Sequence, residues 1–100
     1  MWILLMFDLP VSTKRERKLA QSFRLSLLDH GFEMAQFSVY LRYCSGRKEA
    51  ETYISKIKAN VPGGGKVDIL TFTDKQYENI ISFHSGERRN RVNPSQYVLF

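Results

Sequence analysis

The order of elements in this sequence predicts an α+β fold of the ferredoxin-like plan, βαββαβ with an antiparallel sheet. Three observations predict it. The chain opens on an unbroken apolar run, Trp2 to Phe7 in MWILLMFDLP, of the kind that forms a strand buried on both faces. Two stretches with apolar residues at helical spacing alternate with segments rich in β-formers. Between those helices lies FEMAQFSVYLRYC, long enough for two consecutive strands. One hundred residues make a single domain over 1–100, enough for one sheet under one layer of helices.

Residues 2–7 read as a central strand that stops at an acid, Asp8, with Pro10 close behind. Ser12 is the candidate cap of a first helix from Thr13 to about His30, with Leu19, Ala20, Phe23 and Leu27 on its inner face. Arg15 stands where a capping-box acid belongs, while Glu16 puts a negative charge in the first turn. Leu25 and Leu28 widen the apolar surface, which predicts a second cover at that end. Gly31 stops the helix. Phe32, Met34 and Gln36 alternate with Glu33 and Ala35. After a kink near Gln36–Phe37, Val39, Leu41 and Tyr43 alternate with Ser38, Tyr40 and Arg42, giving two short strands or one bent one.

Ser45 is placed to cap a second helix running to about Asn60, with Ala50, Ile54, Ile57 and Val61 as its buried stripe. PGGGK is a loop needing positive φ angles, and KVDILTFT is a further strand. Thr73 with Gln76 forms a capping-box pattern that predicts a short helix from Asp74 to about Asn79. IISF reads as a short strand and HSGERRNRVNPSQ as a basic loop. The chain finishes YVLF, an apolar strand that would be a sticky edge in water. A second subunit covers such an edge, so the tail from about 84 to 100 is expected to engage a partner copy. Tyr97, Val98, Leu99 and Phe100 would then lie at a dimer interface.

Fifteen Lys and Arg against ten Asp and Glu leave a net charge of +5, which favours a polyanionic partner. The candidate phosphate contacts are Lys14, Arg15, Arg17 and Lys18 on the first helix, Arg42 within a strand, and Arg88, Arg89 and Arg91 near the end. Arginine forks grip phosphate oxygens without reading sequence. The aromatic motifs of a single-strand-binding sheet are missing, and GGG at 63–65 lacks the ending of a phosphate loop. A single cysteine, Cys44, excludes an internal disulfide and a thiolate zinc site. The opening run has no basic leader and is too short to span a bilayer, so the expectation is a cytoplasmic chain with no membrane partner.

Asp8 admits two readings. A loop-starting Asp accepts backbone hydrogen bonds or caps the nearby helix. Alternatively it is a hard-metal ligand at the carboxyl end of a central strand. One carboxylate makes a poor magnesium site, whereas two copies meeting across a twofold axis would make a better one. Asp68 alternates with apolar residues and is expected on a solvent face. Asp74 suits the first turn of its helix without any function.

MFDLP at the strand end, the basic first helix, GFEMAQFSVYLRYC and GGGKVDILTFTDKQY together resemble the small CRISPR-associated adaptation protein. This is the second Cas protein, or CRISPR-associated endoribonuclease, in the form found in type II systems. The similarity runs through nearly the whole chain, and the D-L-P and Q-F-S-V-Y stretches carry it jointly. It implies a homodimer of ferredoxin-like subunits with exchanged C-terminal strands, and Asp8 as the Mg2+-binding, catalytic acid of an endonuclease acting on single-stranded RNA or duplex DNA. It also implies a role in spacer acquisition, in which the dimer binds duplex DNA and bridges two dimers of the integrase, the first Cas protein. Phe7 stands where many relatives carry Tyr. A toxin-like metal-dependent ribonuclease of the same fold is the alternative.

Overall fold

The computed structural model describes residues 1–94. Its elements are β1 (Trp2–Asp8), α1 (Lys14–Asp29), β2 (Glu33–Gln36), β3 (Val39–Tyr43), α2 (Arg47–Lys58), β4 (Lys66–Phe72), α3 (Asp74–Glu78), β5 (Ser82–His84) and β6 (Glu87–Arg89). The main sheet has the order β2-β3-β1-β4 with every pair antiparallel. That is the ferredoxin-like arrangement, with β1 in the middle as its apolar run predicts.

One face of the sheet carries the core. Ile3 and Leu5 of β1 and Tyr40 of β3 pack with Phe23 and Leu27 of α1 and Ala50 and Ile57 of α2, all buried. Each larger side chain sequestered this way contributes about 1.5–3 kcal/mol. The opposite face holds the alternate residues Trp2, Leu4, Met6 and Asp8, set against Leu41 and Val39 of β3 and Leu70 and Asp68 of β4. Expected burial on both faces therefore holds only at Trp2. Further along, Met6 and Leu70 are substantially exposed, and no helix of the described residues covers them.

Local details correct several sequence expectations. The cap of α1 is Thr13, not Ser12. Its hydroxyl accepts from the Glu16 amide while the Glu16 carboxylate accepts from the Thr13 amide, a capping box one residue later than Ser12 and Arg15 suggested. Leu19, expected on the inner face of α1, is exposed; so are Leu25 and Leu28, and the second cover anticipated for those two is not among the described residues. Gly46, not Ser45, occupies the cap position of α2; Ser45 Oγ donates to Glu49 instead. Val61 falls beyond α2 and is exposed.

The middle segment forms two strands. Their register shifts between Met34 and Gln36, and the chain reverses through Phe37 and Ser38, whose φ is +62°. Of the loop glycines at 63–65 only Gly64 has a positive φ. Gly65 answers a different need, because a Cβ there would collide with Leu9 Cδ2 and lie 2.9 Å from the Asp8 carbonyl oxygen. The Thr73–Gln76 capping box and α3 occur as read. Ser82 and Phe83 of IISF form β5 as read, but the segment from His84 read as a basic loop completes a β5–β6 hairpin, turned by Ser85 and Gly86, both at positive φ as a two-residue hairpin turn requires. Tyr97, Val98, Leu99 and Phe100 lie outside the described residues.

Candidate active site at the end of the first strand

Asp8 is exposed at the last position of β1. Among the described residues neither a hydrogen bond nor an ion pair holds its carboxylate. The capping reading is thereby removed, because α1 is closed by its own Thr13–Glu16 box. An acid at a strand end that holds up nothing is available for a ligand.

Two recesses meet at Asp8. On the open face, a shallow pocket is lined by Met6, Phe7, Asp8, Lys66 and Asp68. Lys66 stands directly opposite Asp8 in the sheet register, and its Nζ lies 3.4 Å from Asp68 Oδ2. Around the strand end runs a largely apolar groove between α1 and the β2–β3 turn, bordered by Phe7, Val11, Arg17, Arg24, Phe37 and Asp8 among others. Phe37 is 91% exposed on that turn, far more than burial energetics favour for a benzyl side chain. Arg17 Nη1 donates to the carbonyls of Val11 and Ser12, and Arg24 Nε donates to Gln21 Oε1. Neither guanidinium forms an ion pair among the described residues, so both remain able to meet an anion.

The other basic residues separate by position. Lys14, Arg15 and Lys18 are exposed on α1 with Arg17. Arg88 and Arg89 are exposed on the hairpin, where Arg89 pairs with Glu87. Arg91 is drawn inward by Ser82 Oγ at 2.9 Å and lies over the Tyr77 ring. Arg42 sits opposite Ile3, near the far end of β1 from Asp8. Its Nε donates to the His30 carbonyl, closing the C-terminus of α1, and its Nη1 donates to the Tyr43 carbonyl and Glu49. The guanidinium lies 3.6 Å from the Tyr53 ring centre. Three carbonyl and carboxylate acceptors and an aromatic face give this arginine a structural position away from Asp8.

The electrostatics follow those contacts. Burial opposes the charge on Arg42, but hydrogen bonds to Cys44 and Glu49 more than offset it and raise the guanidinium further. The Ser45 hydroxyl and Arg42 hold the Glu49 carboxyl below the ordinary glutamate range. Burial raises the Cys44 thiol against the pull of Arg42, which suits a packed, unreactive cysteine.

Sequence reasoning singled out Asp8 and Arg17 but missed Phe37 and the proximity of Asp68. An aromatic beside a kink was the available signal for Phe37, yet nothing in the sequence states that it faces water. Among the described residues no group of three or more His, Cys, Asp or Glu side chains is placed to hold a metal ion within one subunit. No helix of the described residues is long and apolar enough to cross a membrane.

Comparison with known proteins shows the family. Residues 1–80 match the family described as CRISPR associated protein Cas2. Over its whole length the sequence is 52% identical to a CRISPR-associated endoribonuclease Cas2 of Paracidovorax avenae, covering 94% of that protein. It is 43% identical to the Cas2 endoribonuclease of Flavobacterium psychrophilum, over 98% of this chain and 85% of the relative. With that of Parvibaculum lavamentivorans it shares 42% identity over the full length of both.

Proposed function

The chain belongs to the Cas2 family, and from that premise we propose that it is a homodimeric CRISPR adaptation subunit with a metal-dependent endonuclease site at Asp8. The observation that carries the site is the unpartnered carboxylate at the end of β1. The relatives' name, endoribonuclease, supports phosphodiester hydrolysis as the chemistry.

Two features support the dimer. The face of Leu4, Met6, Leu41 and Leu70 is apolar and uncovered by the described residues, as a self-complementary interface would be. The outer edge of β4 is unpaired among the described residues and offers a strand position to the partner's C-terminal residues, Tyr97 to Phe100. A twofold axis through the open face would bring the two Asp8 residues toward one another.

The donor set fits a hard divalent cation such as Mg2+. Asp8 and Asp68 supply oxygen ligands on one face of one pocket, and a second subunit would double them. When bound, the ion lowers the pKa of a water and polarises the phosphate. The chain's own residues do the rest. Asp8 would orient a water toward phosphorus, Arg17 and Arg24 would hold the phosphate oxygens, and Phe37 would provide a surface on which an unstacked base settles. Water adds to phosphorus, the P–O bond to the leaving sugar breaks, and that oxygen departs with a proton.

In adaptation the same dimer would bind duplex DNA and bridge two integrase dimers, using the exposed cations of α1 and the hairpin. Phosphate-led binding weakens steeply as salt rises. Replacing Lys14, Arg15 and Lys18 together should weaken binding and flatten that salt dependence; an unchanged slope removes α1 from the footprint. The site itself is tested by Asp8→Asn, which should abolish cleavage of single-stranded RNA while sedimentation still reports a dimer. A variant that cuts at the native rate overturns the assignment. Spacer uptake by the same variant separates the two roles, because intact uptake with lost cleavage makes bridging the physiological function. A toxin-like ribonuclease would show cleavage with no integrase association.

A further inference from the structure

Asp8 shares its end of the sheet with a lysine whose position has a consequence for the metal. In the β1–β4 register Asp8 faces Lys66 and Met6 faces Asp68, so all three charged side chains project from the open face into one pocket. Lys66 Nζ is 3.4 Å from Asp68 Oδ2, with the two side chains 76% and 54% exposed. In a lone subunit such a pair contributes little, because water screens it and two mobile side chains must be held. The balance changes when the open face is covered. Charges removed from water must be compensated locally, and an unpaired carboxylate becomes costly.

Each subunit brings two carboxylates and one ammonium to this pocket, leaving one negative charge per pocket and two where two pockets meet; Glu33, opposite Leu41, lies on the same face but outside the pocket. A single divalent cation has the matching charge. We propose that Lys66 is a positioning residue, the internal counter-cation of the Asp8–Asp68 pair, and that Asp68 is a second oxygen donor to the metal. The proposal rests on the metal-binding dimer described above. Without metal, Lys66 neutralises part of the acidic charge and lets the faces close. When the metal arrives, Asp68 turns to it and the freed ammonium is left beside the position of the substrate phosphate. One side chain thus links metal uptake to phosphate binding.

The test is calorimetric titration of Mn2+ into the intact protein and into Asp8→Asn, Asp68→Asn, Lys66→Met and Lys66→Arg, with no nucleic acid present. Removing the competing ammonium should tighten Mn2+ about tenfold in Lys66→Met, the scale of one nearby charge at an exposed, water-screened site. Lys66→Arg should match the native protein, and Asp68→Asn should bind about tenfold more weakly. On dilution in EDTA the Lys66→Met dimer should dissociate at a higher protein concentration than the native dimer, and added Mn2+ should restore it, which a merely structural lysine would not produce. Native protein that binds Mn2+ while Lys66→Met binds it equally overturns this proposal alone. Native protein that takes up no Mn2+ overturns the metal reading and the proposal with it.

Discussion

Trp2 and Asp8 occupy the two ends of one strand and point to the same side of the sheet, yet their surroundings are opposite. Trp2 is stacked on Tyr77 with ring centres 3.8 Å apart and meets Tyr43 edge-on at 5.3 Å. Its indole N–H donates to Asn93 Oδ1 at 2.7 Å, and Asn93, itself buried, donates onward to the Asp74 carbonyl. Asp8 has no such attachments. Between them the face grades from closed to open, through Leu4 to the exposed Met6. The closed end stores stability by tying β1 to α3 and to the chain beyond the hairpin. The open end has little packing to protect, so its side chains can be chosen for chemistry.

Variants at the two ends should behave accordingly. Trp2→Ala should lose about 3–5 kcal/mol of unfolding free energy in a urea titration, the scale for deleting a buried aromatic. A loss under 1 kcal/mol would mean that the stack is ornamental and the comparison fails. Asn93→Ala leaves the indole N–H buried without an acceptor and should cost about 1–3 kcal/mol. Near the same end, the Arg42–Glu49 link gives a pH signature. The folded Glu49 carboxyl titrates below its ordinary value, so its contribution is complete above the unfolded pKa, roughly 4.3, and is lost as pH falls through the folded value. The stability gap between native protein and Glu49→Gln should therefore narrow on acidification; a gap that widens would reverse the assignment. Asp8→Asn should change stability by less than about 0.5 kcal/mol, as at an unattached surface position. A larger loss would show Asp8 to be structural after all.

The sheet was legible because β1, β4 and the two helices carry strong apolar periods, and because Thr73 and Gln76 spell their cap at the right spacing. Features that depend on hydrogen bonding rather than burial were less so. Ser12 and Thr13 are equally good caps in isolation, and only Glu16 one turn on decides between them. The β5–β6 hairpin has polar strands of three residues, too short for an alternating pattern to show. Arg42 was recognisable as odd among aromatics, but its acceptors, His30, Tyr43 and Glu49, come from three separate elements and loops. Of the candidate site, Asp8 and Arg17 were the residues legible in the sequence. That Asp68 and Lys66 flank Asp8 is a fact of register, and that Phe37 faces water is a fact of the turn; neither is written locally.

Gly65 bears on how this architecture can diversify. With the Asp8 carbonyl and Leu9 occupying the space a β-carbon would need, even one methyl there would shove the strand terminus and displace the acid. Around Gly63 the space is empty. Lengthening or decorating the loop is therefore permitted on its outer limb and forbidden on the inner one. An insertion after Gly63 becomes a handle for grafting new contacts beside the acid without disturbing where it stands.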